Sequence, residues 1–153
     1  MLQAIERIFD QLHFQYLELF ILALLPIALT VIIHSRGMAV TGAYWKHTRA
    51  RLPTNRPSTT LILIGAVAIV LATHALEIFA WALFYNFTEL LPSARAALEF
   101  SISSYSTLGS SSIELPARWQ GLDGFEAMNG MLMFAWSTAM LVAIVQQAQG
   151  LER

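Results

Sequence analysis

Three long apolar stretches constrain what this chain can fold into. They cover 14–33, 59–87 and 124–149, and each is long enough to cross a bilayer, which takes about 20 residues of α-helix. The composition agrees, because only 12% of the 153 residues are charged, whereas a soluble domain carries about 25%. The sequence therefore predicts an all-α membrane protein with three transmembrane helices.

The residues around the first stretch carry two further signals. Residues 1–15 mix apolar side chains with charged ones at a spacing that suits an amphipathic helix lying on the bilayer surface. A helical lead-in to the first span explains the same pattern equally well. Pro26 is expected to kink this span, because proline removes a backbone hydrogen bond inside a helix.

The charges of the two connections predict the orientation of the chain. The loop 34–58 holds five basic residues and no acid, whereas the segment 88–123 holds two basic and four acidic residues. The positive-inside rule places the first in the cytoplasm and the second outside. The N-terminus is then outside and the C-terminus cytoplasmic. Anionic lipid headgroups are expected partners of the basic loop, and no nucleic-acid partner is expected.

The segment between the second and third spans is too polar to cross a bilayer, yet it opens with a helix signal. Pro92 suits the first turn of a helix, and the alanines and leucine that follow propagate it over 93–104. A run rich in Ser, Thr and Gly comes next. Irregular backbone at membrane depth is tolerated only where it is buried in protein or lines a wet cavity. This layout is typical of a re-entrant pore loop.

This half of the chain resembles the pore domain of the potassium-channel superfamily, especially its small bacterial two-helix pore proteins. The segments that carry the resemblance read HALEIFAWALFY at 74–85, LEFSISSYSTLG at 98–109, IELP at 113–116 and GMLMFAWST at 130–138. The resemblance implies a homotetramer around a central pore, in a bacterial inner membrane. It also implies that K⁺ or Na⁺ occupies the filter, where carbonyl oxygens replace the hydration shell of the ion. No cofactor, no other metal and no enzymatic activity are expected.

The same resemblance divides the chain. The pore domain would cover 59–150, with the first span as an addition to it. Its expected parts are the outer helix 59–87, the pore helix 93–104, the filter 105–113 and the inner helix 124–149.

The filter departs from the family pattern in its outer half. Three serines stand where the family has Tyr, Gly and Asp, and a Cβ at that glycine position is costly. The outer sites are therefore expected to be widened or lined by hydroxyls, and the pore to select weakly among monovalent cations. The residues expected to form the filter are Thr107, Leu108, Gly109, Ser110, Ser111 and Ser112.

Two polar residues inside the second span are candidates for filter support or gating. A carboxylate such as Glu77 costs about 2.5–3.5 kcal/mol at the centre of a transmembrane helix, and His74 lies on the same helix face. The pair is too small a ligand set for a metal ion. We expect Glu77 to be neutral or hydrogen-bonded behind the pore helix, to the serines there or to Trp136. A proton- or gating-sensitive role is the alternative.

Three more residues have two interpretations each. Glu114 and Asp123 either form an acidic ring at the outer mouth, which would concentrate cations, or are ordinary solvated charges. Gly130 is either a bending point of the inner helix or a place of close helix packing.

Three classes of function remain. The leading hypothesis is a homotetrameric channel for monovalent cations. The alternative is a non-conducting, channel-derived membrane subunit with an assembly or regulatory role. A membrane enzyme or transporter is the third, and the sequence offers it no nucleophile–base constellation and no inverted repeat. No helix carries arginine at every third position, which disfavours a voltage sensor.

Overall fold

The chain is a bundle of three long apolar helices and one short helix. The computed structural model describes the backbone of 2–51, 56–109 and 112–150, and the side chains of 17–51, 59–109 and 112–150. The described part contains the helices α1 (Leu2–Arg51), α2 (Arg56–Phe87), α3 (Ala94–Tyr105) and α4 (Leu122–Gln149), with one 3₁₀ turn (Ala117–Trp119) before α4. The three long helices are each long and apolar enough to cross a membrane, which indicates membrane association.

The helix α1 is longer than the sequence predicts. The predicted loop 34–58 is wrong over its first two thirds, because α1 continues as helix to Arg51. Between Pro26 and Pro53 the chain holds only isolated glycines as helix-weakening residues, and each costs only about 1 kcal/mol relative to alanine. The helix also runs without interruption from Leu2 across residue 15 and through Pro26, so its start is continuous with the first span.

The other helix boundaries lie close to the predicted ones. Pro57 falls in the first turn of α2, where its missing N–H has no intrahelical partner to lose. Ser93 caps α3, since its Oγ accepts a hydrogen bond from the Ala96 amide at 3.1 Å. This cap explains why α3 begins one residue after the predicted start.

Two side-chain contacts identify which helix ends lie together. The Trp45 indole donates to Gln147 Oε1 at 2.6 Å, which joins α1 near its C-terminal end to the last turn of α4. At the opposite end of the bundle, Arg118 pairs with Glu18 at 3.0 Å. The end of α2, the start of α3 and the start of α4 all lie at this second end, because α1 and α2 are antiparallel.

The short helix α3 runs from this second end to the middle of the bundle. It packs against α2 and α4, and its last residue, Tyr105, bonds to Glu77. Glu77 lies about 15 Å from the end of α2 at about 1.5 Å per residue. The chain then returns to the second end, where Arg118 contacts α1. The helix α3 and the described residues that follow it therefore occupy half the depth of the bundle.

Candidate functional site: the buried polar clusters behind α3 and the segment that follows it

A buried carboxylate, Glu77, joins three helices at mid-depth. Its Oε1 is 2.8 Å from His34 Nδ1 of α1, and its Oε2 is 3.1 Å from His74 Nδ1 of α2. The Tyr105 hydroxyl of α3 donates to the same Oε2. Glu77 and His34 have no exposed surface, and His74 is only 6% exposed. We call His34, His74, Glu77, Tyr105 and Ser137 the Glu77 cluster.

The bond between Tyr105 and Glu77 has a defined direction, because the phenol hydroxyl donates and the carboxyl oxygen accepts. The bond ties the last turn of α3 to the middle of α2.

The far side of both imidazoles meets one hydroxyl of α4. Ser137 Oγ is 2.9 Å from His74 Nε2 and 3.5 Å from His34 Nε2. The cluster therefore draws on all four helices. The sequence expectation that Glu77 is hydrogen-bonded agrees with these contacts, but its partners are two histidines and a tyrosine. Trp136 packs its ring 4.9 Å from that of His34 instead.

A second buried carboxylate, Glu126 of α4, ties α2, α3 and α4 together nearer the end of the bundle. The Tyr85 hydroxyl of α2 donates to its Oε2 at 2.9 Å. The Ser101 hydroxyl of α3 is within hydrogen-bond distance of its Oε1 and of the Ile78 carbonyl oxygen. Ser101 and Tyr105 are one helical turn apart, so one face of α3 is fixed by two buried acids.

The predicted filter segment begins with a strained turn. The amides of Thr107 and Leu108 donate to the carbonyl oxygens of Ser104 and Ser103, both at 2.9 Å, which is the Schellman pattern at a helix C-terminus. Thr107 takes the left-handed conformation that this motif needs, with φ of +59°. Glycine is the usual residue there, and a β-branched residue in this region is a rare outlier. The turn holds the chain at the end of α3 at a conformational cost.

The rest of the predicted filter is only partly described. Leu108 is 69% exposed, Gly109 has a positive φ of +64°, and Ser112 is exposed. Ser110 and Ser111 lie outside the described residues. The structure therefore brings Thr107, Leu108 and Gly109 to the middle of the bundle, directly after α3.

The two predicted outer-mouth acids border one cleft. Glu114 and Asp123 line it together with Ser103, Ser104 and Gly109. Both are exposed. Asp123 also has a structural role, because its Oδ1 accepts from the Gly121 amide at 3.1 Å just before α4.

Gly130 lies where α4 passes closest to α3. A Cβ on this residue would come closer than 3.0 Å to the Tyr105 carbonyl oxygen, nearer than real Cβ atoms approach. The structure thus supports close packing of α4 against α3 at Gly130, which is one of the two interpretations of this residue.

Models of protein families, curated proteins and solved structures were compared with the chain, and none matches. The resemblance to potassium-channel pores remains a prediction from its own motifs.

Sequence reasoning did not identify the ionisable residues His34 and Glu126 or the hydroxyl partners Tyr85, Tyr105 and Ser137. His34 follows directly on the first apolar stretch and precedes Ser35 and Arg36, so the pattern places it in the basic loop. Glu126 lies two residues after the start of the predicted third span. An acid at the edge of a span is not expected to be buried. An acid or imidazole at the edge of an apolar helix was the available signal, since such residues in a membrane usually pair with one another.

Proposed function

We propose that this chain is one subunit of a homotetrameric channel that conducts monovalent cations through the segment after α3. The observation that carries the proposal is the course of the chain between α2 and α4. A short helix enters from one end and stops at mid-depth beside Glu77, and by Arg118 the chain is back at the same end. The described residues 106–109 and 112–116 between them are not helical. In a membrane such backbone must be enclosed by protein or line a water-filled cavity.

The backbone orientation after α3 supports ion binding by carbonyl groups. The amides of Leu108 and Gly109 are directed at the Ser103 carbonyl oxygen, at 2.9 and 3.3 Å. The C=O of a trans peptide points opposite to its N–H, and the described chain has no cis bond. The carbonyl groups of Thr107 and Leu108 therefore point away from α3. Carbonyl oxygens aimed at a shared axis are what dehydrates a permeant cation.

The contacts of the two buried acids support the proposal that α3 holds the segment after it in a fixed position. Glu126 and Glu77 bond to Ser101 and Tyr105 on one face of α3, while the segment that would face the pore continues from the end of the helix. A filter works when its oxygens are held at defined positions, and second-layer bonds supply that rigidity.

The tetramer follows from the need to enclose an axis. One chain contributes one returning segment, so a pore needs several copies arranged by rotation. The resemblance of 74–138 to potassium-channel pore domains favours four. The proposed orientation has the basic end of α1 in the cytoplasm and the α3 connections outside.

Flux from reconstituted liposomes tests the proposal. The purified chain is incorporated, and the rates for K⁺, Na⁺ and larger monovalent cations are compared with those of empty liposomes. We expect K⁺ and Na⁺ to pass at comparable rates, because the serine run replaces the outer half of the filter. A strong preference for K⁺ would contradict the weak selectivity. Silence to every ion in verified tetramers would favour the non-conducting subunit.

A filter replacement tests where selectivity resides. The triple change Ser110→Tyr, Ser111→Gly and Ser112→Asp restores the family pattern, so we expect the K⁺ to Na⁺ flux ratio to rise. A triple variant that conducts with an unchanged ratio would locate the selectivity outside this run.

A further inference from the structure

Three side chains of the Glu77 cluster have the chemistry of metal ligands. His34, His74 and Glu77 each offer one ligand atom, and these atoms all lie within 4.8 Å of one another. We propose that they form a binding site for a divalent transition-metal ion, with zinc as the best fit. Two imidazoles and one carboxylate form a donor set that zinc uses when it keeps a fourth position open. Calcium and magnesium prefer sites made of oxygen alone.

The distances within the cluster fit such an ion after a small expansion. The two Nδ1 atoms lie 2.8 and 3.1 Å from the Glu77 oxygens. Ligand atoms around a tetrahedral zinc lie about 3.3 Å apart, given bond lengths of about 2.0–2.1 Å. Binding would therefore replace two N–H bonds to the carboxylate by two nitrogen–metal bonds.

The hydrogen-bond partner beyond the ligands is compatible with the loaded state. Ser137 Oγ lies 2.9 Å from His74 Nε2 and 3.5 Å from His34 Nε2. If both Nδ1 atoms bind a metal, both Nε2 atoms carry hydrogen. The two lone pairs of the Ser137 hydroxyl can then accept both bonds. An outer partner of this kind commonly orients a ligating histidine.

Charge gives an independent argument. Glu77 is fully buried, and its partners His34, His74 and Tyr105 carry no permanent positive charge. A divalent cation would supply the charge that a buried carboxylate requires. Because imidazole ligands bind first-row transition metals well, the same set selects against alkali cations.

The ion would join the first span to the pore-forming part of the chain. His34 lies on α1, His74 and Glu77 lie on α2, and Tyr105 connects Glu77 to the last turn of α3. The three ligands lie on α1 and α2 alone, and metal binding by them does not depend on conduction by the segment after α3. Its failure and the failure of the proposed channel would therefore be seen in different experiments.

Zinc titration of the full-length chain tests the site. The purified protein is stripped with a chelator, and Zn²⁺ alone is added while heat or bound metal is measured. We expect one ion per chain. The chain has four histidines, so the double variant His13→Ala/His47→Ala leaves only the two in the cluster and should bind as the wild type does. His34→Ala and His74→Ala should lose the binding, and Ser137→Ala should weaken it by about 10- to 100-fold.

Two outcomes would overturn the proposal. One is a wild-type chain that takes up no zinc, and the other is binding that persists in folded His34→Ala and His74→Ala. Should those variants fail to fold, Co²⁺ added to the double variant decides. Intense visible absorption typical of a four-coordinate site supports the proposal, and a spectrum of hydrated Co²⁺ contradicts it.

Discussion

Gly130 of α4 is the residue on which the position of α3 depends most directly. The Tyr105 carbonyl oxygen occupies the space that a Cβ would need, and the same tyrosine bonds to Glu77. The close approach thus holds α4 against the end of α3. Glycine at such a crossing lets the backbones of two membrane helices approach each other closely.

Replacing Gly130 by alanine should therefore destabilise the chain. Overpacking of this kind costs about 1–3 kcal/mol, which SDS titration in mixed micelles can measure. Gly124→Ala is the matched control, because nothing lies within 4 Å of its Cβ position. The control should unfold at the same SDS fraction as the wild type or slightly above it. Equal stability of the two variants would refute the close contact.

The Glu126 carboxylate depends on its hydroxyl partners. Tyr85→Phe removes the bond of 2.9 Å to Glu126 while keeping the ring in the core. Removing one partner leaves a buried polar group unsatisfied, which costs about 1–3 kcal/mol, so we expect a loss of that order in the same titration. A variant as stable as the wild type would mean that this bond contributes nothing.

The sequence predicted the roles of some of these residues and not of others, for physical reasons. Glu77 stands out because a carboxylate inside an apolar run is costly, and His74 follows from helix periodicity. His34 does not stand out, because it lies 43 residues from Glu77 and meets it only when α1 packs along α2. The left-handed conformation of Thr107 was equally hidden, since a β-branched residue argues against it.

At the scale of the elements, two glycines, one on α1 and one on α2, mark places where these helices pack closely together. A Cβ on Gly37 would approach the Thr73 side chain closer than 3.0 Å, and a Cβ on Gly65 would meet the Tyr44 ring in the same way. These contacts explain why the part of α1 beyond the predicted span is ordered helix. Residues 34–51 are held against α2, whereas their basic composition alone suggested a loop.

A double-mutant cycle tests this packing. Gly65→Ala alone should destabilise the chain by about 1–3 kcal/mol. In the background of Tyr44→Ala the same change should cost much less, because the ring that occupies the space is gone. Residues in contact show coupling energies of about 0.5–3 kcal/mol. Additive effects of the two changes would rule the contact out.

The helix α3 was the most predictable element. Pro92, the Ser93 cap and the alanines define its start within one residue, because capping and propensity are local properties. Its depth in the bundle is a tertiary property and depends on Glu77, Glu126 and Gly130. The sequence suggested that depth only indirectly, through the layout of a short helix and a polar run between two spans and through the resemblance to pore domains.

At the scale of the whole molecule, the bundle has two ends with different contacts. The basic end of α1 meets the end of α4 through Trp45 and Gln147, while Glu18 and Arg118 mark the opposite end. In the proposed orientation the first end is cytoplasmic and the second is outside.

Single cysteines can test this orientation, because the natural chain has none. Lys46→Cys and Arg95→Cys lie on exposed positions at opposite ends. A membrane-impermeant maleimide added to intact cells should label Arg95→Cys alone, and Lys46→Cys should react only after the membrane is opened. The reverse pattern would invert the topology.

In the proposed channel, cations pass through the segment 107–112 at the centre of a tetramer. Current through the wild type and through Ser112→Cys is recorded in planar bilayers before and after a positively charged thiosulfonate reagent is added. The control is Arg95→Cys, whose parent side chain is 89% exposed on the first turn of α3. We predict that modification reduces the Ser112→Cys current, that a reducing agent restores it, and that the control current is unchanged. A Ser112→Cys current unaffected by confirmed modification, or a wild type without current, would contradict the account.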